Sequence, residues 1–232
     1  MIRVERRERG IVWVVFDRPQ ARNAMTFAMW ARLREVAGEL DADPSVRAVV
    51  LTGAGTDAFV SGTDIAEFRA FAGADDGVAY EARIDAVIAA LEAIRVPTIA
   101  AIAAGAGAGG GVSIAGTCDL RIGAPSARIG VPIARTLGNC ISLRNIARLA
   151  EIIGSDAVKA LLLTGKLLNA DQAREARFLS EVVQSDDALH ARAQQLAEEI
   201  AALAPLTLRA TKEMCRRLRA AIPLPADDDL IR

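Results

Sequence analysis

Between Pro97 and Asp119 the chain reads PTIAAIAAGAGAGGGVSIAGTCD, an uncharged apolar run with glycine at 105, 107, 109, 110, 111 and 116. Few folds accept such a run. Residues 98–103 predict a buried strand, and the chain then passes through a turn that only a glycine-rich backbone makes. A helix restarts near Gly110. Glycine lets another group approach the main chain closely, and the free N–H groups at a helix start favour negative charge.

Three architectures compete for this run. A membrane span is suggested by the absence of charge from Val96 to Cys118 and by the Gly105/Gly109 and Gly107/Gly111 spacings, which match the small-residue pattern of membrane helix pairs. Against it stand Pro97 and the alanine and glycine where a span carries leucine and phenylalanine. A dinucleotide fingerprint is matched by Gly105, Gly107 and Gly110, but that motif wants an acid about twenty residues on. None occurs between Asp119 and Glu151. The reading adopted is a strand, turn and helix whose amides form an anion site.

Composition narrows the setting. The chain of 232 residues, 52% hydrophobic with a formal charge of -1, can bury a sizeable core and suits an α/β domain with an appended helical part. Balanced charge and 4% aromatics give neither the basic field nor the stacking platforms of a nucleic-acid binder. Cys118, Cys140 and Cys215 lack C-x-x-C spacing, and His190 is the single histidine. A histidine-based metal site and a Ser-His triad are therefore not expected, and the cysteines read as free thiols of a reducing compartment. MIRVERRERG at the N-terminus has no apolar core for export. A cytoplasmic protein, with no nucleic-acid or membrane partner, is the expectation.

Along the chain, IVWVVF (11–16) predicts a buried strand with residues 2–7 as its hairpin partner. Thr26 is placed to cap a helix reaching Leu40, with Met29, Leu33, Val36, Ala37 and Leu40 on one face. VRAVVL (46–51) predicts a second buried strand, and residues 54–64 a functional loop. Residues 65–95 read as helical around a mobile turn at 73–77, with Ile84, Val87, Ile88, Leu91 and Ile94 buried. Residues 120–122 form a short strand, 126–135 read as irregular, and from Ser155 the chain is mostly helical. Pro205 opens the last helix. Strands crowd the first half and helices the second, which divides the chain into a core at 1–155 and a helical region at 156–232.

With these segments in place the chain resembles the enoyl-CoA hydratase/isomerase (crotonase) superfamily. FDRPQARNAMT (16–26), VRAVVLTGAG (46–55), AFVSGTDI (58–65), VPTIAAIAAGAGAGGG (96–111), CDLRIG (118–123), LLLTGKLLNADQA (161–173) and APLTLRATKE (204–213) stand in that family's order. The resemblance implies an α/β fold, a crotonase-like spiral of ββα turns with a helical C-terminal part, assembled as a homotrimer or hexamer. It also implies an acyl-CoA thioester substrate, with coenzyme A as part of that substrate and no tightly bound cofactor. The thioester oxygen would sit between the amides of Thr63 and Gly110, an oxyanion hole for an enolate. Coenzyme A contacts would fall to Arg22, Ala24, Ser61, Asp64 and Ile65; for Asp64, capping of the following helix is the competing role, and for Arg22 a solvated surface position.

The sequence departs from that family at the acids. Its hydratases carry a glutamate two residues after the glycine triplet and another after the proline of the IGVP segment; here Ser113 and Ile133 hold those positions. Arg135, Asn139 and Cys140 are candidates to line the acyl pocket, while Glu67, Glu81 and Asp85 read as solvated helix faces, as do His190 and Lys212 as surface groups. Decarboxylation, thioester hydrolysis, or acyl-CoA binding without turnover are the alternatives to hydration. Relatives also continue beyond Arg232 with a covering segment, so the helical region is expected to be incomplete at its end.

Overall fold

The computed structural model describes residues 1–104, 109–136 and 140–231. Its frame is a six-stranded sheet. β1 (Ile2–Arg6) runs antiparallel to β2 (Ile11–Phe16), and parallel neighbours then follow: β3 (Ala48–Gly53), β4 (Thr98–Ile102), β5 (Leu120–Gly123) and, at the far edge, β8 (Glu181–Val182). β2, β3 and β4 are buried at every residue, which explains why they read as unbroken apolar runs rather than as alternating ones.

The period of two divides their side chains between two cores. Val12, Val14, Phe16, Val49, Leu51, Ala100 and Ile102 face the larger core. It is roofed by α1 (Phe27–Ala42), α2 (Ala74–Glu92), α3 (Gly110–Thr117) and α5 (Leu143–Ile153). Ile11, Trp13, Val15, Val50, Ile99 and Ala101 face the other. There α8 (Ala188–Ala201) supplies Leu189, Ala193, Ala197 and Ile200, spaced by one helical turn. Each fully buried leucine or isoleucine contributes roughly 1.5–3 kcal/mol.

Several boundaries differ from the sequence reading. The second buried strand starts at Ala48, two residues late, because Arg47 turns its amide to the Gly10 carbonyl (2.8 Å). Residues 73–77 are not a mobile turn: Ala74 to Gly77 is the first turn of α2, and the Asp76 carboxylate accepts the amides of Ala72 (2.7 Å) and Gly73 (3.2 Å). The acids there are a helix-start signature. The irregular 126–135 stretch contains β6 (Arg128–Ile129) and α4 (Ile133–Thr136). Helix also begins before Ser155, with α5, whose N-cap Ser142 accepts from Asn145 N–H.

Beyond residue 155 come α6 (Ser155–Thr164), β7 (Leu168–Asn169) and α7 (Ala170–Glu175), and later α9 (Pro205–Ala220) and α10 (Asp228–Ile231). β7 pairs with β6, and β8 with β5, so the later chain shares hydrogen bonds with the earlier sheet. α9 has no buried residue and is fastened by charge: Lys212 Nζ reaches Asp119 (2.6 Å) and the Val96 carbonyl (3.0 Å), and Arg219 pairs with Glu92 and Glu151. Lys212 is thus an anchor rather than a free surface lysine. Among the described residues no helix is long and apolar enough to cross a membrane.

Candidate functional site

A cavity of about 390 Å³ opens where the exits of β2, β3 and β4 meet α2 and α3, the position where parallel sheets bind ligands. One wall is main chain. The loop after β2 carries two residues in left-handed conformation, Arg22 (φ 51°) and Asn23 (φ 55°). Asn23 is wholly buried; its Oδ1 accepts from Arg18 N–H (3.0 Å), and its Nδ2 donates to the carbonyls of Ala54 (3.0 Å) and Ala58 (2.7 Å). Gly53 makes room for this tie, since a Cβ there would lie 2.1 Å from the Ala58 oxygen.

Farther along, Met25 N–H donates to the Gly62 carbonyl (2.8 Å) and Asp64 N–H to the Met25 carbonyl (2.9 Å). These bonds straddle Thr63. Across the cavity α3 starts at Gly110, where a Cβ would meet Trp30 Cζ2 at 2.8 Å and lie 3.7 Å from Gly62 Cα. Glycine here permits both tight packing on Trp30 and close approach of the two loops. Among the described residues neither the Thr63 nor the Gly110 N–H has a hydrogen-bond acceptor. The Thr63 hydroxyl accepts from Trp30 Nε1 (3.0 Å) and bonds the Tyr80 hydroxyl (2.6 Å), which fixes this residue from two sides.

The opposite wall is side chain. Glu81, on α2, is 7% exposed and lines the cavity with Ile84, Ile133, Ile141 and Asn145. Burial first, then the charges of Asp85 and Asp227, push its pKa up to about 7, opposed by a hydrogen bond from the Ser142 N–H. Burial raises Asp85 too, although its Oδ1 accepts from Ser142 Oγ (2.8 Å) and Asn145 Nδ2 (3.1 Å). Behind them the buried Arg148 donates to Asn145 Oδ1 (3.0 Å) and Glu92 Oε2 (2.9 Å), and Glu92 in turn pairs with Arg219. Burial opposes ionisation of Glu92, but the hydrogen bond and charge of Arg148, with the charge of Arg219, hold its carboxyl below the usual range.

Of the residues singled out in the sequence, Ala24, Ser61, Thr63, Asp64, Ile65, Gly110 and Ser113 line this one cavity. Ser113 is buried, and its hydroxyl donates to the Gly109 carbonyl (3.1 Å). Asp64 is committed elsewhere: Oδ1 caps the turn at Ala66 N–H (3.0 Å), Oδ2 pairs with Arg18 (2.6 Å), and these bonds lower its pKa. Arg22 is exposed, its carbonyl taking the Ser61 N–H (3.2 Å), and it does not line the cavity. Arg135 does not line it either; it lies across Gly165, donating to that carbonyl (3.4 Å). Asn139 lies outside the described residues.

None of the three supposed solvated acids is simply solvated: Asp85 is held by Ser142 and Asn145. Glu81 is buried, and Glu67 is half-buried with Oε2 accepting from Phe27 N–H (3.1 Å). The signal for Glu81 was present in the spacing, because it stands three and seven residues before Ile84 and Ile88 on the buried stripe of α2. Tyr80, Trp30 and Asn145, which brace the cavity, had no local motif to reveal them. Cys140 is half-buried, with its thiol donating to the Leu230 carbonyl (3.3 Å). His190 is exposed and packs edge-on to Trp13. Among the described residues no three His, Cys, Asp or Glu side chains gather as metal ligands.

Comparison with known proteins agrees with this architecture. Residues 6–224 match the family model described as Enoyl-CoA hydratase/isomerase. A Mycobacterium tuberculosis protein named as a probable enoyl-CoA hydratase is 36% identical over 217 residues, 93% of this chain and 81% of the relative. A short-chain-enoyl-CoA hydratase of Clostridium acetobutylicum is 32% identical, over 91% of this chain and 79% of its own. Among solved structures, an enoyl-CoA hydratase/carnithine racemase from Magnetospirillum magneticum superposes with a TM-score of 0.90 at 35% identity, covering 98% of this chain and 84% of that one. An enoyl-CoA hydratase from Bacillus anthracis gives 0.85 at 30% identity, over 91% and 81%.

Proposed function

The chain belongs to the enoyl-CoA hydratase/isomerase family, and from that premise we propose that its cavity holds an acyl-CoA thioester, with the carbonyl oxygen accepting from the Thr63 and Gly110 amides. The observation that carries this reading is that Thr63 and Gly110 line one cavity and that, among the described residues, neither N–H has a hydrogen-bond acceptor, with a Cβ at Gly110 reaching to 3.7 Å from Gly62 Cα. Charge that develops on the oxygen as the α-carbon becomes enolate-like is then met by fixed dipoles. Each such donor is worth about 3 to 4 kcal/mol in the transition state. Ala24, Ser61 and Ile65 offer contacts to the coenzyme A body. Three or six copies in the cytoplasm belong to the same reading; the exposed apolar Leu206, Met214 and Leu218 of α9 support contact between copies.

Ser113 and Ile133 make efficient hydration by a paired-glutamate route a poor match, since a missing positioned acid or base typically costs about 10² to 10⁴ in rate. The same observation favours a second reading, in which the enolate forms by decarboxylation or the thioester is hydrolysed or merely bound. Infrared difference spectra of a bound saturated acyl-CoA, labelled at the thioester carbonyl, test the first step. A lowered carbonyl frequency is expected, and no binding would overturn the proposal. Incubation with crotonyl-CoA, a malonyl-type CoA ester and the saturated ester then separates the reactions: brisk hydration would refute the argument from positions 113 and 133.

A further inference from the structure

We propose that Glu81 is the proton-carrying group of this cavity, taking a proton from the carbon beside the thioester carbonyl and returning it to the same carbon skeleton. The inference rests on the thioester reading above and adds the acid–base group that Ser113 and Ile133 leave open. Among the described residues two carboxylates line the cavity, Asp64 and Glu81. Both oxygens of Asp64 are engaged, by Arg18 and by the Ala66 amide. Glu81, in contrast, is 7% exposed with no ion-pair partner among the described residues. Its neighbour Tyr80 bonds the Thr63 hydroxyl (2.6 Å), so one short stretch of α2 is tied to the residue whose amide meets the carbonyl.

Two other candidate groups are engaged elsewhere. Ser113 gives its proton to the Gly109 carbonyl, and Asp85 is held by Ser142 and Asn145 behind the wall. Buried against Asp85 on its own helix, Asp227 before α10, and the side chains of Tyr80 and Cys140, the Glu81 carboxyl exchanges its proton around neutrality, where an acid–base group serves in both directions.

The step balances within the cavity. Glu81 carboxylate removes H⁺ from the α-carbon; the C–H electron pair becomes the enolate double bond, with charge on the oxygen between Thr63 and Gly110. The carboxylic acid then delivers a proton to the α-carbon, or to the γ-carbon of an unsaturated chain, which shifts the double bond. No water is added and no group leaves.

The test is deuterium uptake into butyryl-CoA in D₂O, followed by mass spectrometry beside a calorimetric titration of the same ligand. Expected for the wild type is α-deuteration whose rate rises with pH to a plateau above a midpoint near 7. For Glu81→Gln a loss of about 100-fold or more is expected, with binding retained, and for Glu81→Asp a partial rate. Exchange in Glu81→Gln equal to wild type overturns the assignment. Binding by the wild type without exchange also overturns it, while leaving thioester binding intact; no binding overturns both readings. Retained affinity in Glu81→Gln shows that the variant is folded.

Discussion

The two walls of the cavity are built on opposite terms. One is made of main chain, with Asn23, Gly53, Gly62 and Gly110 excluding side chains or tying loops so that Thr63 and Gly110 line one cavity. There the buried Asn23 side chain is satisfied at both its Oδ1 and its Nδ2. The other wall presents Glu81, buried near Asp85 and Asp227, charges of its own sign. The first wall therefore stabilises the fold while shaping the site, whereas the second costs stability to keep a carboxyl available.

The largest test of this contrast is Gly110→Ala. Its Cβ would be driven to 2.8 Å from Trp30 Cζ2, so the start of α3 must retreat and its amide leave the carbonyl. Loss of the infrared shift and a fall of roughly 10²- to 10³-fold in deuterium exchange are expected, the value of one donor. Next comes Asn23→Ala, which strands the buried carbonyl of Ala58, the part-buried carbonyl of Ala54 and the Arg18 amide. Denaturant unfolding is expected to show a loss of about 3 kcal/mol.

Glu81→Gln is expected to act in the reverse direction. The folded carboxyl, raised to about 7 from 4.5, binds a proton more tightly than the unfolded one. Its contribution is thus fully present below pH 4.5 and is lost as pH rises through 7. Above pH 8 the glutamine variant should be more stable than wild type by on the order of 2–3 kcal/mol, with the gap closing towards pH 4. A variant less stable than wild type at pH 8 would break the contrast between the walls. Smallest is Tyr80→Phe, which removes one bond to Thr63; about 1 kcal/mol of stability and a modest rise in the Kd for butyryl-CoA are expected.

The same contrast explains what could be read from the chain. Main-chain features announce themselves locally. The β-branched runs of β2 and β3, the caps at Thr26 and Asp64, and the strand before and the helix after the glycine run all agree with the structure, while the turn expected at 105–108 lies outside the described residues. Glu81 was misread because a carboxylate beside solvated neighbours is ordinarily solvated; it is covered by chain distant in sequence, including the Ser142 start of α5 and the α10 segment with Asp227. Arg135 was misassigned for a related reason, since the direction of its side chain is set by the nonlocal approach of Gly165. Helix α5 was passed over in favour of a start at Ser155; its Asn145 and Arg148 are buried, and α2 receives one hydrogen bond from each, at Asp85 and Glu92.

From Asp85 through Ser142, Asn145 and Arg148 to Glu92 and Arg219, hydrogen bonds and ion pairs run without a break from beside the cavity to the last long helix. Such a chain is hard to alter one link at a time, because removing any member costs a neighbour one of its partners. Divergence at these six positions must then proceed by concerted replacement, so a lineage that has rebuilt one of them should be found to have rebuilt the others.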